Sequence, residues 1–463
     1  MDPKLKQELV DIVGEENFSD ALIDLVSSSW DASEHTGQRP DCTVWPTSTE
    51  QVSRIMALAN RLEVPVTPRG AGTGICGSAV PLRGGIVLDL SRMNRILEID
   101  ISDRVVRVQA GVVYADLQKA LAPHGFCFPP DPGSSLVCTI GGNVSTNAGG
   151  LRGAKYGTTR DYVLGLEVVL ADGRVMHPGG KNMKTSSGLD LVRLFVGAEG
   201  ALGVVTEVIL KVSPIPRASA TLMGLFDDME DAAQAVSQVM SSGVIPSVME
   251  LLGRELLAAI NADTGLGLPE VDAMLLVETD GYTQGEADFQ AQRIIEIFRE
   301  NRARAIETAD SAEKAADLWT ARKSAYPVLA RLDKNVVVED VTVPVSKLPD
   351  LVRGFSELVK RYDLKVGTLA HAGDGNFHPL IAFDADDPDQ LRRVEKAVDE
   401  LFELAIELGG TLTGEHGIGL SKAKYMPLEH EPVELEMMAV VKHAFDPKGI
   451  LNPGKQGLPR PPA

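Results

Sequence analysis

Apolar residues along this chain fall into two rhythms. Residues 3–29 and 51–62 carry them at helical spacing, whereas 64–68, 86–90, 96–99 and 105–108 carry them as short strand-type runs. Trp45-Pro46-Thr47-Ser48-Thr49-Glu50 opens the second of these helices, with Thr47 or Ser48 as its N-cap. Residues 112–124 read as a helix, and 164–170 and 204–212 as strands. The mixture of short elements with glycine at many joints predicts an α+β domain over 1–215. Ser213-Pro214-Ile215-Pro216-Arg217 reads as a linker. Beyond it come a strand at 219–226, a helix at 228–241, strands at 247–252 and 273–279, and a helix at 284–300. That order predicts a second domain over 216–410, built on a ferredoxin-like open sheet with helices on one face. A terminal segment over 411–463 contains a helix that starts at Pro432 and stops at Asp446-Pro447.

Length agrees with this division, because 463 residues exceed one ordinary core. The composition, 44% hydrophobic and 24% charged, is that of a soluble globular protein, and no apolar run is long enough to span a bilayer. Met1 to Val10 is an acidic amphipathic stretch without the basic start of a secretory signal, so a cytoplasmic protein is expected. The net charge of −20 argues against a nucleic-acid surface. Cys42, Cys76, Cys127 and Cys138 form no CxxC pair; they read as free thiols and are poorly spaced for an iron–sulfur cluster.

The chemistry is concentrated in glycine-rich segments. Pro68-Arg69-Gly70-Ala71-Gly72-Thr73-Gly74 follows a short strand, and such a loop lets backbone N–H groups approach a phosphate. Its spacing is not G-x-G-x-x-G, which argues against a nicotinamide dinucleotide site. A second stretch, Cys138 to Gly153, packs five glycines among Thr, Asn and Ser. No core helix or strand is expected of such a composition, so it reads as backbone wrapped around a polar ligand. The turn-rich run Pro129 to Gly133 precedes it, and a third loop, Gly197 to Gly203, leads into a strand at Val204-Val205.

In the second half, Leu369-Ala370-His371-Ala372-Gly373-Asp374-Gly375-Asn376-Phe377-His378-Pro379 places two histidines seven residues apart around a glycine turn with strand-like flanks. A hairpin there would bring both imidazoles together. Thr413-Gly414-Glu415-His416-Gly417 sets a carboxylate and an imidazole among glycines. Two histidines and one carboxylate make the ligand set of a catalytic metal site with open positions.

Taken in order, these segments resemble the vanillyl-alcohol-oxidase/p-cresol-methylhydroxylase superfamily, and within it the D-2-hydroxy-acid dehydrogenase branch. The resemblance covers nearly the whole chain. It implies a two-subdomain FAD-binding domain of the p-cresol-methylhydroxylase type, an α+β cap domain, and a C-terminal segment returning to the flavin. It implies that Pro68, Arg69, Gly70, Ala71, Gly72, Thr73 and Gly74 cradle the pyrophosphate. Pro132, Thr139, Gly142, Asn143, Ser145, Gly149, Gly150, Glu199, Gly203, Val205 and Asn452 complete the cofactor site. Thr73 stands where some relatives attach flavin through a histidine, so the FAD is expected to be non-covalent. HAGDGNFH and GEHG match motifs that supply metal ligands, which carries over to His371, His378 and Glu415, with zinc or manganese as the ion. His416 carries over as the acid/base residue, Asn376 as a polar contact, and Arg322, after Trp319, as the partner of the substrate carboxylate.

The implied reaction is oxidation of a small D-2-hydroxy acid. The metal lowers the hydroxyl pKa, His416 takes the proton and flavin N5 takes the hydride. Electrons would then leave to a protein or quinone-linked acceptor rather than NAD, through an iron–sulfur subunit or an electron-transfer flavoprotein. Such a partner could bring the protein to a membrane periphery, and a homodimer is open. Val338, Glu339 and Asp340 stand where the 2-hydroxyglutarate dehydrogenases place a lysine, which favours D-lactate or glycolate over a dicarboxylate. The alternatives are a dicarboxylate dehydrogenase, a flavin-dependent alkyl transferase, or a flavin-binding electron-transfer subunit without its own turnover.

Overall fold

Gly14 interrupts the long N-terminal helix that the apolar spacing predicts. The helix Pro3–Val13 ends there, at φ 86°, and the Asn17 side chain then donates to the Val13 carbonyl. A two-residue strand, Phe18–Ser19, and a second short helix, Leu22–Ser27, follow in place of one continuous helix. The computed structural model describes residues 1–323, 325, 328 and 333–459. It divides into two units. The first comprises Met1–Gly149, Thr158–Ile215 and the chain from Glu415 onward; the second comprises Gly150–Gly157 and Pro216–Gly414.

The first unit contains two main sheets. In the smaller, Cys42–Val44, Ile86–Asp89 and Val66–Arg69 run parallel, with Phe18–Ser19 antiparallel at one edge. Helix Thr49–Leu62 joins the first and last of those parallel strands; Ser48 caps it by accepting from the Gln51 N–H. It buries Val52, Ile55, Met56 and Ala59 against Val44, Val66, Ile86 and Leu88. Each fully buried aliphatic there contributes roughly 1.5–3 kcal/mol. Leu451, from the returning C-terminal segment, forms a parallel bridge with Val66 at the edge of that sheet. The larger sheet is antiparallel, in the order Ile96–Asp100, Val105–Gln109, Val204–Lys211, Val163–Val169, Val175–Met176. Ser213–Pro214, expected as linker, pairs with Phe126–Cys127.

The second glycine stretch departs from expectation. Residues Ile140–Thr146 form a helix, with Thr139 as N-cap accepting from the Gly142 N–H at 3.2 Å. Composition argued against a helix, but tertiary contacts decide for one. The Ile140 and Gly141 N–H groups donate to the Val112 and Ala110 carbonyls at 2.8 and 2.7 Å. A Cβ on Gly141 would lie 2.6 Å from Ala110 Cβ, so glycine is what allows this close approach.

In the second unit, strands Ala218–Phe226, Val248–Gly253, Ala273–Gly281 and Ala305–Thr308 take the ferredoxin-like order fourth, first, third, second. Helices Met229–Ser241 and Gln284–Glu300 make the two crossovers. A further helix, Arg254–Thr264, lies between the strands expected at 247–252 and 273–279, where the pattern assigns no element; its apolar face, Leu256, Leu257 and Ile260, packs with Leu252 and Leu369. The sheet continues past Val248–Gly253 into the antiparallel pair Lys365–His371 and Asn376–Phe383, then Asn335–Val338. Gly150–Gly157 belongs to this unit: Lys155 and Tyr156 both bond the buried Asp280, the tyrosine hydroxyl at 2.6 Å. No helix among the described residues is long and apolar enough to cross a membrane.

Candidate functional site

Within the first unit the predicted cofactor segments converge. The loop after strand Val66–Arg69 meets the second stretch, since a Cβ on Gly70 would collide with Thr139 Oγ1. The third loop meets the same stretch through backbone bonds, from Gly197 N–H to Val144 O at 2.9 Å and from Glu199 N–H to Ser145 O at 2.8 Å. Pro68 packs against Gly200. From the C-terminal end, the Asn452 amide donates to Ser78 O at 2.8 Å and Glu199 O at 2.7 Å. Asn143 is buried on helix Ile140–Thr146, and Ser145 on the same helix donates to Gly141 O at 2.8 Å. Pro132 begins a turn, accepting from the Ser135 N–H.

Individual residues differ from what a simple phosphate cradle would show. The Arg69 guanidinium folds back over Gly72 and donates to Trp30 O at 2.6 Å; burial lowers its pKa, against the pull of Asp89 and Asp31. Gly203 is explained by packing, because a Cβ there would strike Val168 and Phe195. Val205 lies in the apolar core cluster beside Leu202 and Val208. Glu199 is fully buried and holds the returning chain: Ser78 Oγ donates to it at 2.8 Å, the Ile418 N–H at 2.7 Å and the Gly419 N–H at 2.9 Å. Burial raises its pKa above the usual carboxylate range, against these donors and Lys455.

The fit to a cofactor can be tested by asking which glycines the protein itself requires. A Cβ on Gly74 would meet no atom within 4 Å, and one on Gly142 only Thr139 Oγ1 at 3.2 Å. Neither has the positive φ that excludes side chains. Thr73, Gly74 and Gly142 are all partly exposed. The Asn452 Oδ1 atom is buried with no hydrogen-bond partner among the described residues. Space beside Gly74 and Gly142 left open by the described residues, together with the unmatched buried acceptor of Asn452, suits a ligand held largely by backbone. Gly149 lies beside Glu415: a Cβ there would be 3.0 Å from Glu415 Oε2. His416 Nε2 is 4.0 Å from the Glu415 carboxylate.

In the second unit the hairpin forms as predicted, with His371 opposite Asn376 and Leu369 opposite His378. Both histidines are buried, their rings 4.9 Å apart and nearly perpendicular. His371 Nδ1 lies 2.7 Å from Glu250 Oε1, and His378 Nδ1 lies 3.2 Å from the Glu339 carbonyl oxygen. An imidazole that donates from Nδ1 keeps its lone pair on Nε2, the arrangement a metal ligand needs. Asp340, fully buried, accepts from Thr413 Oγ1 at 2.6 Å and the Gly414 N–H at 3.1 Å, and lies 3.8 Å from His378 Nδ1. The Asn376 amide packs against Gly414, where a Cβ would be 2.6 Å from Nδ2, and its Oδ1 is buried without a hydrogen-bond partner among the described residues. Gly414 closes this unit, and Glu415 and His416 are the next residues of the chain. Arg322 donates from Nε to Glu250 Oε2 at 2.6 Å.

Sequence reasoning missed Glu250. Burial alone would raise its pKa, but Arg322 and His371 outweigh that and hold it below the ordinary carboxylate value. Its one signal is a lone glutamate in the otherwise apolar, fully buried strand Val248–Gly253.

The chain belongs to the FAD-linked oxidase family: residues 215–456 match "FAD linked oxidases, C-terminal domain", and residues 40–179 match "FAD binding domain". It is 43% identical to the glycolate oxidase subunit GlcD of Bacillus subtilis over 97% of this chain and 96% of that one. It is 36% identical to a D-lactate dehydrogenase of Anaerostipes hadrus, over 90% of this chain and 91% of that one. Among solved structures, p-cresol methylhydroxylase superposes with a TM-score of 0.81 at 19% identity, over 98% of this chain and 96% of that one. Alkyldihydroxyacetonephosphate synthase superposes at 0.77 and 21% identity, covering 98% and 86%. At such identities the likeness is one of fold. The family and these relatives make the protein an FAD-dependent oxidoreductase.

Proposed function

We propose that this protein oxidises a small D-2-hydroxy acid, D-lactate or glycolate, to the 2-oxo acid, using non-covalent FAD and a divalent cation, zinc or manganese. The observation that carries the metal half is the paired Nδ1 hydrogen bonding of His371 and His378, which directs both Nε2 lone pairs to ligand duty. Glu415, one residue beyond the Asp340-bound Gly414, would complete the ligand set. The glycine segments around Gly74, Thr139, Gly142, Asn143, Ser145, Gly149 and Gly150, with Asn452, would hold the flavin. When bound, flavin supplies a two-electron acceptor and the cation a Lewis acid for the substrate hydroxyl. His416 would receive the hydroxyl proton at an imidazole nitrogen. Arg322 would orient the substrate carboxylate, and Asn376 would donate from its amide.

A monocarboxylate is favoured because the buried Glu339 and Asp340 are acidic residues, neither of which offers a cation to a second substrate carboxylate. The relatives named as glycolate oxidase subunit and D-lactate dehydrogenase support the same substrate class. The relative named as a glycolate oxidase subunit supports assembly with a partner chain; on our proposal an iron–sulfur subunit or an electron-transfer flavoprotein receives the electrons.

Anaerobic mixing with D-lactate, glycolate, L-lactate and D-2-hydroxyglutarate, followed by flavin absorbance, tests the proposal. Bleaching by one of the first two, lost on chelation and restored by zinc or manganese, is the expected result. Bleaching that survives a strong chelator removes the metal role of His371, His378 and Glu415. Absence of bleaching by every 2-hydroxy acid removes the substrate class and favours an alkyl transferase. Turnover of the isolated chain with an artificial dye would exclude a subunit lacking its own catalysis. Acid precipitation should release all of the flavin into the supernatant; yellow colour in the pellet would contradict non-covalent binding.

A further inference from the structure

The fully buried carboxylate of Glu250 sits between two residues with different proposed tasks. Its Oε1 engages His371 Nδ1 at 2.7 Å and its Oε2 engages Arg322 Nε at 2.6 Å. Glu250 lies on strand Val248–Gly253, paired directly opposite His371 in the sheet register, so the backbone ladder itself sets the carboxylate beside the imidazole. Arg322 comes from a separate helix, Ala312–Lys323, and its side chain is mostly buried. A charge with no solvent access is retained in a sheet core only when its partners compensate its desolvation, and here each oxygen has one.

We propose that Glu250 is a positioning residue that couples metal binding to substrate binding. It fixes the Nδ1-protonated form of His371 and orients the plane of the Arg322 guanidinium through the same carboxylate. The inference rests on the reading of His371 as a metal ligand and Arg322 as the substrate-carboxylate partner. Each oxygen of Glu250 serves one of the two functions, so disturbing either neighbour alters the carboxylate seen by the other. By linkage, occupancy of the metal site and affinity for the substrate carboxylate then change together. Outer partners of ligand histidines typically alter metal affinity by about 10–100-fold.

The flavin-loaded, metal-stripped full chain is titrated with Mn²⁺, following free Mn²⁺ by electron paramagnetic resonance. Glu250→Gln should weaken Mn²⁺ binding by about 10–100-fold and raise KM for D-lactate more than it lowers kcat. Arg322→Lys, which leaves every proposed ligand intact, should also weaken Mn²⁺ binding, by a few-fold. Mn²⁺ affinity within twofold of the parent in both variants, at unchanged melting temperature, would overturn the coupling. In case Glu250→Gln fails to fold, ¹⁵N-histidine spectra of the unaltered protein give a second test. They should show His371 protonated at Nδ1, and an Nε2-protonated ring would overturn the role of Glu250. A parent protein that binds no Mn²⁺ or Zn²⁺ while showing the Nδ1-protonated ring would instead refute the metal reading and, with it, the coupling.

Discussion

The two units prepare their chemistry by opposite means. In the first, the predicted cofactor segments are joined mostly by main-chain contacts, such as Gly197 N–H to Val144 O and Gly141 N–H to Ala110 O, and by glycines that let backbones approach. In the second, the candidate site is made of side chains: His371, His378, Glu250, Asp340 and Arg322, each buried or nearly so and each bonded to another polar group. A backbone-built site tolerates side-chain exchange except where a Cβ intrudes. A side-chain-built site tolerates almost none. The contrast fits the ligands proposed for each, an extended cofactor in one case and a compact charged group in the other.

The largest effect should break the second region and leave the first intact. His371→Ala or His378→Ala should lower dye-coupled turnover of the hydroxy acid by roughly 10²–10³-fold, the rate equivalent of about 3–4 kcal/mol. The flavin-to-protein absorbance ratio should stay at the parent value; loss of flavin in these variants would mean that the regions are not separable. Next comes a side-chain exception within the first region. Burial holds the Lys455 ammonium down to about 8, against Asp31 and Glu199, from an ordinary value of 10.5. Between those values the unfolded chain binds the extra proton, so stability should rise as pH climbs through the window, by on the order of 3 kcal/mol. Denaturant unfolding of the parent and Lys455→Met between pH 7.5 and 10.5 checks this: the variant should lack the rise, and parallel curves would contradict it.

Two neighbouring glycines then separate packing from ligand space. Gly141→Ala should destabilise the apoprotein by about 1–3 kcal/mol through its collision with Ala110. Gly142→Ala should change apoprotein stability by less than about 1 kcal/mol, yet weaken flavin binding at least about tenfold, read by fluorescence titration. Equal flavin affinity in Gly142→Ala would remove that glycine from the cofactor site. The smallest expected effect is Thr139→Ala, which removes the N-cap of helix Ile140–Thr146 and should cost about 1 kcal/mol in denaturant unfolding, with Thr139→Ser restoring most of it.

Most of what local pattern can carry was legible. The strands at 86–90, 105–108 and 204–212, the helix at 284–300 and the histidine hairpin all appear near their expected places, because apolar rhythm and glycine turns act within a few residues. The ferredoxin-like order of the second unit also followed from its element sequence. Elements that lean on distant partners were not legible. Helix Ile140–Thr146 contains two glycines and exists because Ala110 and Val112, some thirty positions earlier, receive its first N–H groups. The N-terminal helix is shorter than the apolar spacing predicts because the positive φ at Gly14 stops it, while apolar positions continue at helical spacing on both sides.

By itself, the sequence determined the identities that chemistry requires: glycines where a ligand could approach, and a pair of histidines on a turn short enough to bring their rings together. Only the tertiary structure decided which nitrogen of each ring is engaged and by what. Glu250 reaches His371 across 121 positions, and Glu339 reaches His378 across 39. No residue spacing encodes contacts of that separation. The first arises because the sheet sets strand Val248–Gly253 beside Lys365–His371, and the second because Asn335–Val338 pairs with Asn376–Phe383 and carries Glu339 alongside His378.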